Sequence, residues 1–101
     1  MSDTEKDSEF YEMADAFIAL ANARSKSVNQ GKVSATFLYA AARFNTFLVA
    51  SSSESAEDFG ANKDSAIEYF MTEYRKMLEE HFGDYQQNYS KYIGNKNKTI
   101  N

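Results

Sequence analysis

The chain has 101 residues, a formal net charge of −4, 43% hydrophobic residues and no cysteine. This length fits one domain with a modest core, and the composition is that of a globular protein rather than a disordered one. Because cysteine is missing, disulfides, thiolate zinc sites and thiol catalysis are excluded. The negative net charge disfavours binding to nucleic acid and to anionic membranes, because both attract basic surfaces.

The N-terminal residues bear on the compartment. Residues 1–9 carry five charged side chains where a secretory signal would need a basic start and an apolar run. No apolar stretch approaches the roughly 20 residues of a membrane span. We therefore expect a cytoplasmic protein that has no membrane partner.

The first periodic segment, residues 8–27, predicts an amphipathic helix with Ser8 as its N-cap. The turn at residues 29–31 ends it. Its apolar face consists of Phe10, Met13, Ala14, Phe17, Leu20, Ala21 and Val28.

The second segment, residues 34–52, has two adjacent apolar stripes and only a narrow polar strip. Such a helix must be covered from two sides, so we expect it to be the central helix, with Phe37, Phe44 and Leu48 buried. The stripes contain Val33, Phe37, Ala41, Phe44 and Leu48, and beside them Leu38, Ala42 and Val49.

The third segment begins at Asn62, a candidate N-cap, after a polar connection over residues 51–63 that has room for a short helical turn at 54–59. Its apolar stripe keeps its phase past Gly83, so we expect an unbroken or merely kinked helix to about Ile93. The alternative is a stop at Gly83, with Asp84 capping a fourth helix.

Together these segments predict an all-α protein, a small helical bundle of three main helices, the last long and open to a kink at Gly83 that gives a fourth. We expect a single helical domain over residues 8–93. Disordered tails are expected at 1–7 and 94–101.

Three polar residues fall within or beside the apolar faces: Arg24, Asn45 and His81. A structural role, paired at the edge of the core, is the ordinary explanation for each. His81 lacks the Glu-x-x-His spacing of helical di-metal sites, because Leu78 stands three residues before it. We predict no catalytic residue, no metal ligand and no cofactor.

The C-terminal stripe carries the tyrosines Tyr85, Tyr89 and Tyr92. Aromatic residues at helical spacing usually belong to a core, but tyrosine is also enriched at protein interfaces. A continuous third helix would overshoot the other two by about 15 Å. The three tyrosines are therefore the candidate interface.

Several runs resemble the DUF3144 family of proteobacterial proteins. They are Gly31-Lys32-Val33-Ser34-Ala35, Leu38-Tyr39-Ala40-Ala41-Ala42-Arg43-Phe44-Asn45, Ala14-Asp15 with Ala19-Leu20-Ala21-Asn22-Ala23, and Ala66-Ile67-Glu68-Tyr69-Phe70. The resemblance covers about residues 10–92. It implies a bacterial source and assigns no activity or site.

Two functions from different classes are consistent with these features. The leading hypothesis is a non-catalytic interaction or structural module that binds another protein, or itself as a homodimer, through the tyrosine-rich helix. The alternative is a small-ligand-binding protein or minor enzyme with a pocket near Arg24, Asn45 and His81, of about 300 Å³ or more.

Overall fold

The computed structural model describes residues 5–94, and these contain five helices and no strand. The all-α prediction is confirmed. The helices are α1 (Ser8–Arg24), α2 (Gln30–Ser51), α3 (Ala56–Ala61), α4 (Lys63–Gln87) and α5 (Tyr89–Ile93). The chain divides into two units, residues 1–52 and residues 53–101. Most of the two expected tails, residues 1–4 and 95–101, lies outside the described residues.

The start of α1 is capped by Asp7, one residue before the predicted cap at Ser8. The Asp7 backbone is extended, and its Oδ1 accepts a hydrogen bond from the Phe10 amide at 3.0 Å. A carboxylate here also meets the positive end of the helix dipole, which a serine hydroxyl does not. The prediction of Ser8 as cap was therefore wrong by one position.

Helix α2 begins at Gln30, four residues earlier than predicted. Asn29 caps it, with Oδ1 accepting from the Lys32 amide at 3.2 Å. Gly31 lies inside the helix, and a Cβ there would come within 3.0 Å of the capping oxygen of Asn29. Glycine at this position thus leaves room for the cap, whereas the sequence suggested a turn.

The connection between the long helices contains α3, close to the short helical turn expected at residues 54–59. Ser55 caps α3 by accepting from the Asp58 amide at 3.0 Å, while Asp58 Oδ2 accepts from the Glu54 amide at 3.1 Å. Asn62 stands at the start of α4, as predicted, but its side chain points back and donates to the Asp58 carbonyl oxygen at 2.9 Å.

Helix α4 runs through Gly83 without a break and ends at Gln87. The helix break lies at Asn88, which separates α4 from α5. The prediction that the helix continues past Gly83 is confirmed, and the alternative stop at Gly83 is wrong. The reason is that a glycine with negative φ fits a helix at a modest cost. The expected continuation of one helix to about Ile93 is also wrong, because α4 ends at Gln87 and residues 89–93 form the separate helix α5.

Burial is the main departure from expectation. None of the described residues 5–94 is buried. Phe37 is 39% exposed, Phe44 62% and Leu48 48%, so the prediction that these three are buried is wrong. Within residues 5–52, the expected cover on two sides of α2 is therefore missing. Within its own unit, α2 meets only α1, and one helix can cover only one side of another.

The length of α2 corrects a second expectation. Its 22 residues are long and apolar enough to span a membrane by length and composition, because its many alanines count as apolar. A mostly buried core helix of a soluble protein and a signal sequence near the N-terminus meet the same criterion, so one such helix is weak evidence of a membrane span. The sequence expectation that no stretch has this length was wrong.

Candidate interaction surfaces

Helices α1 and α2 form a helical hairpin, joined by the short turn at residues 25–29. The half-buried residues Ala14 and Ala21 on α1, and Val28 in the turn that follows, recur every seven positions. On α2 the half-buried residues Asn45 and Val49 lie one turn apart. These residues mark the lines along which the two helices meet, since side chains one or two turns apart share a helix face.

A second set of side chains in this hairpin is apolar and exposed. We call this set the hairpin face. It consists of Met13, Phe17 and Leu20 on α1 and Phe37, Ala41, Phe44 and Leu48 on α2. The most exposed is Leu20, at 63%. Each stripe follows the spacing of one side of a helix.

The two stripes lie on the same side of the hairpin. Successive residues of a helix are about 100° apart around its axis. On each helix, the exposed apolar stripe therefore lies roughly a quarter turn around the axis from the half-buried residues that face the other helix. Seen from each helix's own N-terminus, both rotations have the same sense. Because α1 and α2 run in opposite directions, equal rotations bring the two stripes together. The sequence analysis identified the individual stripes but not this common face.

The hairpin face has a charge of opposite sign at each end of α1. Glu9 lies one turn before Met13, at the open end of the hairpin, and Arg24 lies one turn after Leu20, beside the connecting turn. Both side chains are exposed. The middle of the face, between these two residues, is apolar.

A second structured surface lies at the end of α4, where α5 follows after the single residue Asn88. The Tyr92 hydroxyl donates to Asp84 Oδ2 at 2.7 Å, and Asn88 Nδ2 donates to Asp84 Oδ1 at 2.8 Å. The rings of Tyr85 and Tyr92 stack with their centroids 4.2 Å apart. We call these four residues the C-terminal clasp.

The clasp shifts the pKa values of its two titratable hydrogen-bonded groups. The hydrogen bond from Tyr92, followed by the one from Asn88, lowers the pKa of Asp84 because both stabilise the carboxylate. The same Asp84 contact raises the pKa of Tyr92, because the phenol must keep its proton to donate. Tyr92 is exposed and Asp84 is no more than half-buried, so the shifts report local order rather than a buried reactive site.

The three candidate interface tyrosines therefore have different surroundings. Tyr85 and Tyr92 contact each other within the clasp, whereas Tyr89 is 48% exposed and takes no part in it. The sequence analysis missed Asn88, although Asp84, Asn88 and Tyr92 are spaced four residues apart, on one side of a helix.

The three candidate polar residues are spread over both units. Arg24 ends α1 beside the turn, and Asn45 lies about 22 Å along α2, at 1.5 Å per residue. Asn45 is half-buried, Arg24 is exposed, and His81 is exposed on α4 in the second unit. The predicted polar pocket stays a prediction.

Two surface depressions are each lined by a single helix. One lies on α2, around Tyr39, Arg43 and Phe47, and the other on α4, between Met71 and Phe82. Neither is lined by Arg24, Asn45 or His81. Over residues 5–94 no three His, Cys, Asp or Glu side chains group in a way that could hold a metal ion.

Comparisons with known proteins extend the fold assignment. The family model described as a protein of unknown function, DUF3144, matches residues 10–86. Among solved structures, the chain is similar to the NMR structure of the protein NB7890A from Shewanella sp.. The two share 33% sequence identity with a TM-score of 0.72, over 87% of this chain and 95% of the other. No curated protein matches.

Proposed function

The chain belongs to the DUF3144 family, whose description assigns no activity, and on physical grounds we propose that it is a non-catalytic interaction module that associates with itself. It acts in the cytoplasm, as its acidic, cysteine-free composition favours. Its binding surfaces are apolar helix faces, among them the tyrosine-bearing C-terminal end.

The observation that carries this proposal is the absence of buried side chains over residues 5–94. Within each of the two units, the described side chains of the helices are at most half-buried. Large apolar side chains make up much of the exposed surface, Phe82 on α4 being 74% exposed. Monomeric soluble proteins rarely leave so much apolar surface in water, and surfaces of this kind are typical of association sites.

Sedimentation equilibrium over a range of protein concentrations tests the proposal. We expect an assembly larger than one chain, which dissociates on dilution. A monomer at every concentration, with a compact hydrodynamic radius and protected amides along α2, would contradict self-association.

The contribution of the tyrosine-rich end is tested by Tyr89→Glu, because Tyr89 is exposed and takes no part in the clasp. We expect weaker association if Tyr89 lies in the interface, since a charge would then be buried. Ser90→Glu is the matched control, an exposed neighbour on another side of α5. Equal effects of the two variants would exclude a specific role for Tyr89.

A further inference from the structure

We propose that the hairpin face packs against the same face of a second copy of this chain, as a two-fold symmetric pair of hairpins. In this arrangement α1 lies antiparallel to α1 of the second copy, and α2 antiparallel to α2 of the second copy. The inference rests on the proposed self-association and specifies the surface and the geometry.

The exposed area of the hairpin face fits an interface of ordinary size. Its six large side chains are between 39% and 63% exposed, and residues of this size present roughly 200 Å² each when fully exposed. Together they offer on the order of 600 Å² per chain, close to the ~800 Å² per partner of a standard interface once the rim is added. Two helical layers then form a four-helix arrangement, which buries α2 on the side that α1 leaves open.

The spacing of the face is self-complementary. On α1, Met13 and Leu20 lie at equal distances on either side of a point between residues 16 and 17. Glu9 and Arg24 lie at equal distances on either side of the same point. On α2, positions 37 and 48 share a midpoint with positions 41 and 44, between residues 42 and 43. A single two-fold axis across the hairpin therefore places Met13 against Leu20, and Phe37 against Leu48, of the second copy.

The two charges select this arrangement over the alternative two-fold pairing. With the axis running across the helices, Glu9 of one copy faces Arg24 of the other, at both ends of the interface. With the axis parallel to the helices, α1 would lie over α2 of the second copy, and the two Arg24 side chains would share one end. Opposite charges at the rim favour the first arrangement, since like charges across an interface are unfavourable.

A charge placed in the middle of the face tests the surface. We expect Phe44→Glu to weaken association by roughly thirtyfold or more, as a central apolar anchor does when it is lost. Tyr39→Glu is the matched control, because Tyr39 is 67% exposed on the opposite side of α2, and we expect it to leave the association unchanged. Circular dichroism confirms that each variant remains helical.

A cross-linking experiment tests the geometry without disturbing the charge. The chain has no cysteine, so Phe17→Cys introduces one thiol close to the two-fold axis. We expect this variant to form a disulfide-linked dimer under mild oxidation. Asp15→Cys is the control on another side of α1, and we expect it to stay largely monomeric on a denaturing gel.

The charge pairs give a third measurement. Arg24→Glu and Glu9→Lys should each weaken association, and the double variant should regain most of the lost affinity. Changes in the stability of α1 alone would not produce this rescue.

The outcomes separate this inference from the proposed function. Association that survives Phe44→Glu but is lost in Tyr89→Glu would overturn the hairpin interface and leave self-association standing. Equal cross-linking of Phe17→Cys and Asp15→Cys would overturn the two-fold geometry. A wild-type monomer at every concentration would overturn both proposals.

Discussion

Asp84 holds the C-terminal end of the second unit in place. Its two carboxylate oxygens accept hydrogen bonds from Asn88 and Tyr92, one and two turns further along the chain. The Asn88 side chain also donates to the Asp84 carbonyl oxygen at 3.2 Å, at the end of α4 where backbone carbonyls lack helical partners. These contacts explain why α4 ends at Gln87, with Asn88 as its C-cap, and not at Gly83.

Removing one hydroxyl tests the clasp. In Tyr92→Phe the ring can still stack on Tyr85, but Asp84 loses the hydrogen bond that contributes most to lowering its pKa. We therefore expect the pKa of Asp84 to rise towards its ordinary value, measured by NMR titration of the carboxyl carbon. Tyr89→Phe is the control and should leave the titration unchanged. An unaltered titration in Tyr92→Phe would show that this hydrogen bond is not formed in solution.

The clasp also has a defined pH dependence. The pKa of Asp84 is lowered, so its contribution is complete above the ordinary carboxyl pKa of about 3.9 and is lost as the pH falls through the lowered value. The pKa of Tyr92 is raised, so its contribution is complete below about 10 and is lost as the pH rises through the raised value. We expect α5 to stay attached to α4 between these two pH limits. The NMR signals of the Tyr92 ring measure this attachment. Release near neutral pH would contradict this.

At the scale of the helices, Gly83 provides a direct test of the continuity of α4. A Cβ at this position would meet no atom within 4 Å outside its own helix backbone. We therefore expect Gly83→Ala to stabilise the second unit by about 0.5–1 kcal/mol, measured by urea denaturation. Gly94→Ala is the contrasting control, since Gly94 has a φ of 73°, and it should destabilise the helix end. Destabilisation by Gly83→Ala would show that α4 is interrupted there.

The cap of α1 gives a second test at this scale. Asp7→Ala removes the acceptor for the Phe10 amide, and we expect a loss of about 1 kcal/mol in the free energy of unfolding. Asp15→Ala changes an exposed carboxylate inside the same helix and serves as the control, with little expected effect. Similar losses in the two variants would mean that Asp7 acts only through charge.

Local physics explains why the helices could be predicted and some of their ends could not. The periodicity of Met13, Phe17 and Leu20 specifies a helix without knowledge of the fold. The break at Asn88 depends on side chains two turns apart, and the start of α2 depends on whether Asn29 caps a helix or closes a turn. Both choices are decided by hydrogen bonds that hydrophobic periodicity does not encode.

For the whole molecule, the stability should depend on protein concentration. If association supplies the missing cover of α2, the folded state is favoured by mass action. We expect the thermal midpoint to rise over an about hundredfold increase in concentration, measured by circular dichroism. The Phe44→Glu variant should lose most of this dependence, and Tyr39→Glu should keep it. A midpoint independent of concentration in the wild type would contradict the coupling.

The candidate site was only partly predictable from the sequence. The tyrosines were identified from their phase, but the contact between Tyr85 and Tyr92 depends on the turn at Asn88. The sequence predicted that Phe44 would be covered and could not say by which chain, because an apolar stripe looks the same in a monomer core and in an interface. To predict the common face of α1 and α2, one would need the direction of each helix and its rotation about its own axis, which the sequence pattern does not give.

The exposed side chains of α2 have a consequence for the protein in a cell. Extended apolar helices left in water are what chaperones and quality-control proteases engage. Copies that fail to find one another would be removed, whereas associated copies would persist. The lifetime of the chain would then rise with its abundance, and a modest drop in synthesis would clear the protein faster than dilution alone.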